Sequence, residues 1–215
     1  MLLTMMYDLG IATAETIYMV FASTLFAVCL GLPLGTLLFS SAKIKPNPSL
    51  NRLIAGLINI TRSIPFIILM VAIIPLTRLI VGSSIGIHAA MVPLTLGATP
   101  FFARLVDNAY QGLPTGLLEA SCSMGASTWQ TIKHVLLPEA MPPLIQAVTV
   151  TAITLVNYSA MAGTVGGGGL GDLAIRYGYQ RFNLSVMLAT VCILIVIVQL
   201  LQTGGDRLAR RFLHD

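Results

Sequence analysis

The residue types that catalysis ordinarily recruits are few and scattered in this sequence. Cys29, Cys122 and Cys192 lie far apart, with no paired or metal-ligand spacing. The three histidines and eight acidic residues form no Ser-His-Asp, zinc or paired-carboxylate constellation. The glycine run at 166–169 is not followed by Lys-Ser/Thr, so the chain has no phosphate cradle of its own. No catalytic residue, metal site or bound cofactor is therefore expected. What remains is recognition and mechanics, carried by two patterns.

The first is a polar stripe in an apolar run: Gln146, Thr149, Thr151, Thr154, Asn157 and Ser159, leading into Tyr158 to Gly163. At helical spacing Gln146, Thr149, Ile153 and Asn157 share one face. Such groups bond to neighbouring helices, or they line a path for a small polar solute. The second pattern fills the long polar segment from Asp107 to Glu139. Pro114 and Thr115 open a helix containing Leu117, Leu118, Glu119 and Ala120, and Gly125 is placed to end it in a left-handed cap. Ser127 with Gln130 three residues on has the form of a capping box. The helix it starts carries Trp129, Ile132 and Leu136 on one face, and Pro138 is expected to stop it. This helix–Gly–helix unit either rests on lipid headgroups or inserts into a groove on a soluble partner.

The elements that hold these patterns follow from composition. Of the 215 residues 56% are hydrophobic and 9% charged, against about 25% charged in an ordinary soluble domain. The mean hydropathy of +0.87 points the same way. A soluble fold of this length could not hide that much apolar surface. The twelve basic residues, which give a net charge of +4, sit at the ends of apolar runs and form no nucleic-acid stripe. They delimit five expected spans, at about 17–39, 53–80, 79–103, 140–162 and 182–205, the second and third forming a tight hairpin. The first is too long for a signal-peptide core and lacks a basic n-region, so it reads as a retained span. Gly31, Pro33 and Gly35 within it imply a kink or close packing. With the 41–52 loop, the segment between spans three and four and the C-terminus on one side, that side holds nine of the twelve basic residues. The positive-inside bias makes it cytoplasmic, with the N-terminus outside. Arg62 is expected to snorkel to the inner surface, and unaccompanied His88 to pack near the outer one. The outer loop at 163–183 is plain loop or a partner contact.

Glu119-Ala120-Ser121, three residues, Gly125, nine residues and Val135-Leu136-Leu137-Pro138 resemble the EAA motif, E-A-A-x3-G-x9-I-x-L-P, of bacterial ABC importer permeases. Serine stands at the third position and valine where isoleucine is usual. Along nearly the whole chain, including Arg62-Ser63-Ile64-Pro65-Phe66, Tyr158-Ser159-Ala160-Met161 and Gly167-Gly168-Gly169-Leu170-Gly171, the sequence is similar to methionine-uptake permeases. The resemblance implies an all-α membrane protein of ABC type I importer permease fold: one domain over 1–215, with a cytoplasmic coupling loop at about 112–138. It implies a homodimer in lipid, a cytoplasmic ABC ATPase dimer that binds ATP and magnesium, and an extracytoplasmic substrate-binding lipoprotein. Glu119, Ala120, Ser121, Gly125, Leu137 and Pro138 then map to ATPase coupling. Gln146, Thr149, Asn157, Tyr158 and Ser159 map to a path for a zwitterionic amino acid, with Met161 either its gate or ordinary packing. The alternatives are an ABC permease for another small solute, or an ion-coupled secondary transporter, which would want intramembrane acids or a broken-helix repeat pair.

Overall fold

The computed structural model describes residues 2–212, and every regular element among them is helical. Helix α1, Leu2–Lys43, is far longer than the expected first span. At 1.5 Å per residue it reaches about 60 Å, so it projects beyond a hydrocarbon core of about 30 Å. Its Pro33 does not break it. Close packing is instead what Gly31 and Gly35 provide. A Cβ on Gly31 would lie 2.9 Å from the Phe102 ring, and one on Gly35 would lie 2.7 Å from Val106 Cβ. Both partners belong to α5, Ile87–Gln111. The small-xxx-small stripe lets the two backbones approach, which compensates for the weak drive to associate in lipid.

The expected second span is not one helix. It divides into α2 (Pro48–Ser63), α3 (Phe66–Ala72) and α4 (Ile74–Val81), and α2 and α3 meet at a 100° bend. Pro65 explains the break. It has no N–H and forces Ile64 out of the helical region, to φ −82°, ψ 124°. A polarity profile cannot see this, because Ile64 and Pro65 are both apolar. The turn into α5 uses Gly82 and Gly86, each at positive φ. Helix α5 begins and ends eight residues later than expected and carries Arg104 and Asp107 inside its C-terminal half. It can do so because those charges satisfy each other. Arg104 Nη1 donates to Asp107 Oδ2 at 3.1 Å, Arg104 Nη2 to Asn59 Oδ1 at 2.9 Å, and Gln111 Nε2 to Asp107 Oδ2 at 2.9 Å.

Past the segment at 112–140 lie α9, Met141–Gly163, and α11, Leu184–Arg210, close to the expected fourth and fifth spans. Between α6, Thr115–Ser123, and α9 run α7, Thr128–Thr131, a π-helical turn π1, Ile132–Leu136, and α8, Leu137–Glu139. Between α9 and α11 lie α10, Gly169–Leu173, and a second π turn, π2, Ala174–Tyr179. Among the described residues four helices are long and apolar enough to cross a membrane, or five if the bent α2–α3 pair counts as one span. The core has an upper cluster around Met19, Leu94, Leu155 and Val156 and a lower one around Phe102, Tyr110, Leu136 and Leu144. Only 11% of the most apolar stretch of α11 is buried within this chain, so its outer face is left for lipid or another subunit.

Candidate functional site: a helix–glycine–helix arm and a polar face on α9

Helix α6 ends in a complete Schellman cap. Gly125 sits at φ +72°, its N–H donates to Cys122 O at 3.0 Å, and Ala126 N donates to Ser121 O at 3.1 Å. The next helix starts with the capping box the sequence predicts: Ser127 N donates to Gln130 Oε1 at 2.8 Å, and Gln130 N to Ser127 Oγ at 3.4 Å. Ser121 is buried. Its hydroxyl donates to Leu118 O at 2.9 Å and meets Thr131 Oγ1 at 3.5 Å, which pins the two helices together across the turn. It therefore braces the arm from inside rather than facing outward.

Pro138 does not stop the second helix. The π turn widens the backbone ahead of it, with Leu137 N bonding to Ile132 O, and the chain continues helically through Pro138 to Glu139. A proline lacks the N–H that an α-turn would need there, and the wider turn accommodates its ring. The apolar face is also split. Leu136 is fully buried and, with Leu118, Ile132 and Leu137, belongs to the lower core cluster against α1, α5 and α9. Trp129 is 68% exposed and Met124 86%. Glu119, Ala120 and Pro138 are exposed as well. The arm thus has one face fastened to the spans and another, bearing Glu119, Ala120, Met124 and Trp129, that is left exposed among the described residues.

On α9 the structure divides the residues that the sequence grouped. Gln146, Val150, Asn157 and Met161 form an exposed stripe. Thr149 does not join it: its hydroxyl bonds back to Ile145 O at 2.9 Å, and its side chain fills the space over Gly205 on α11. Ser159 is likewise buried, bonded to Val156 O at 2.8 Å. Tyr158 is half-buried and stacks face to face on Phe66 of α3, with ring centroids 4.2 Å apart and planes within 2°. The single-helix projection placed Thr149 with Gln146 because it could not know where α11 crosses.

Three further interactions escaped the sequence reading. The glycine run is engaged within the chain itself. It folds back over α9, and the N–H groups it presents at the start of α10 are taken by α1: Gly169 N donates to Glu15 Oε2 and Leu170 N to Thr16 Oγ1, both at 2.8 Å. Gly168 and Gly169 both adopt positive φ to reach that position. Outside this junction Arg176 forks onto Asp172, with Nε at 2.8 Å from Oδ1. That bonding holds the guanidinium above its ordinary arginine value. Third, Arg62 meets an aromatic ring of α5. Its guanidinium lies 5.9 Å over the Phe101 ring, at the middle of α5. His88 does pack as expected, edge-on to Tyr18 with centroids 5.9 Å apart.

Residues 27–214 match the family described as the binding-protein-dependent transport system inner membrane component. The chain belongs to this family. It is accordingly a multi-pass inner-membrane component with the ABC type I permease fold. A probable D-methionine transport system permease protein of Vibrio cholerae is 55% identical over 205 residues, spanning 94% of this chain and 91% of the relative. A D-methionine transport system permease protein of Escherichia coli is 53% identical over 161 residues, 74% of each chain. Among solved structures, an inward-facing form of the MetNI methionine ABC transporter superposes at a TM-score of 0.96 with 50% identity, covering 98% of this chain and 99% of the other. An amino acid ABC transporter crystallised with histidines shares the fold at a TM-score of 0.80 and 18% identity.

Proposed function

We propose that this chain is the permease subunit of an ATP-driven importer that carries methionine inward across the cytoplasmic membrane. The relatives' names supply the cargo, and the arm supplies the mechanics. The supporting observation is its two-sided construction, with Leu118, Ile132, Leu136 and Leu137 set into the span core while Glu119, Ala120, Met124 and Trp129 face out. In this reading a cytoplasmic ABC ATPase dimer, which binds ATP and magnesium, grips the outward face. The stiff Gly125 elbow passes the ATPase's movement to α5 and α9. The chain crosses five times, with the bent α2–α3 pair as one crossing, the N-terminus outside and the C-terminus inside. A second copy covers the exposed stripe on α9, since Gln146 and Asn157 are costly against lipid. The passage runs along that stripe, with Met161 as its gate. An extracytoplasmic binding lipoprotein delivers the cargo to the outer surface formed by α10 and π2.

ATP-driven alternation needs only contacts that differ between two states of the dimer. Gly125→Val forces a β-branched residue into a left-handed conformation, at a cost of about 1–2 kcal/mol. Glu119→Lys reverses the charge of the outward face. Both variants are expected to insert and dimerise normally while methionine uptake into proteoliposomes falls at least tenfold. Uptake at the unsubstituted rate in both would refute the coupling role.

A further inference from the structure

At the α2–α3 break the structure opens a cavity of about 240 Å³, lined by Thr61, Arg62, Phe66, Gly97, Phe101 and Tyr158. Phe101 is about 15 Å from the C-terminal end of α5 and about 21 Å from its N-terminal end at 1.5 Å per residue, so the cavity lies near the middle of this span-length helix. The two arginines near this level differ sharply. Arg104 is matched by Asp107 and Asn59. Arg62, among the described residues, has no carboxylate within ion-pair distance. Its guanidinium stands at the C-terminal end of α2, over an aromatic face. An intramembrane arginine without an anion is expensive unless it faces a wet path or meets a counter-ion that arrives. Beside it, the stacked Phe66–Tyr158 pair offers an apolar, polarisable wall, seated where Gly97 leaves room for the Phe66 ring. Thioether sulfur favours such aromatic surfaces, and guanidinium favours carboxylate in a two-pronged pair.

From this juxtaposition we infer that the cavity is a transit subsite for the carried amino acid: Arg62 receives the α-carboxylate, and Phe66, Phe101 and Tyr158 receive the side chain. The inference rests on the importer reading and adds to it a site inside the permease. Arg62 makes the passage selective for a free carboxylate independently of the binding protein, and it explains why a charge persists at the bend.

The test uses the assembled permease–ATPase complex in nanodiscs without binding protein. Cys29, Cys122 and Cys192 are changed to Ser, and Ile64→Cys, on the cavity wall, serves as the reporter. Methionine is expected to slow maleimide labelling of the reporter, and methioninamide, which lacks the carboxylate, is not. Arg62→Gln should raise the methionine concentration for half-protection by about tenfold or more, the scale of one lost charge-assisted contact, and Arg62→Lys by less. Equal protection by the amide, undiminished protection in Arg62→Gln, or none from any free amino acid would overturn the assignment. So would slow labelling set by anionic lipid regardless of amino acid. Protection by leucine but not by methionine would uphold Arg62 as the carboxylate partner while refuting methionine as cargo.

Discussion

Glu15 shows how one side chain fixes a junction far from it in sequence. Its carboxylate takes the Gly169 N–H across 154 residues, beside the neighbouring Thr16 hydroxyl on Leu170 N. A hydrogen bond to a charged group is worth about 1.5–3 kcal/mol, so Glu15→Ala should loosen α10 from α1 by about that amount. Faster amide exchange at 169–173, with exchange in α9 unchanged, checks it. Gly205 makes the opposite kind of demand, since any Cβ there would run into the Thr149 side chain. Gly205→Val should separate α9 from α11 and cost about 1–3 kcal/mol by overpacking, and pairing it with Thr149→Ala should recover part of the loss. Thermal unfolding of the single and double variants in detergent would measure both. Neither contact was legible in the sequence. Glu15 lies in α1 just ahead of its long charge-free stretch, where charge reads only as an end marker, and Gly205 lies at the polar end of the last charge-free stretch, where glycine signals no partner.

Where local chemistry governs, the elements were readable. The α6–α7 elbow has its expected Gly cap and Ser127–Gln130 box because both depend on residues within six positions of each other. The extent of α9 and most of that of α11 follow from runs without a charged residue. The failures arose where backbone or tertiary context outweighed polarity. Pro65 bends an apolar run that hydropathy reads as continuous, a π turn carries a helix through Pro138, and the Arg104–Asp107 pair lets α5 extend past its first charge. The bend carries a prediction of its own. In the unsubstituted chain spin labels at Leu53 and Ala72 should sit about 18 Å apart, and a straight helix would put them about 28 Å apart. Pro65→Ala restores the missing N–H and frees Ile64 to be helical, so a longer population should appear in the distance distribution. A distribution identical to that of the proline form would mean that packing of Phe66 and Met70 alone holds the bend.

At the scale of the whole molecule, the chain has spans, a braced arm and a polar stripe, but no phosphate-binding loop in its sequence. On the importer reading proposed above, the work comes from a neighbouring ATPase and the arm receives it. This claim is tested most directly by reconstituting the chain with its ATPase and binding protein in sealed vesicles and following labelled methionine. The account predicts accumulation that requires ATP on the arm's side, survives an uncoupler that abolishes ion gradients, and is lost with Gly125→Val while ATP hydrolysis by the partner persists. Accumulation that continues without ATP and collapses with the uncoupler would contradict it.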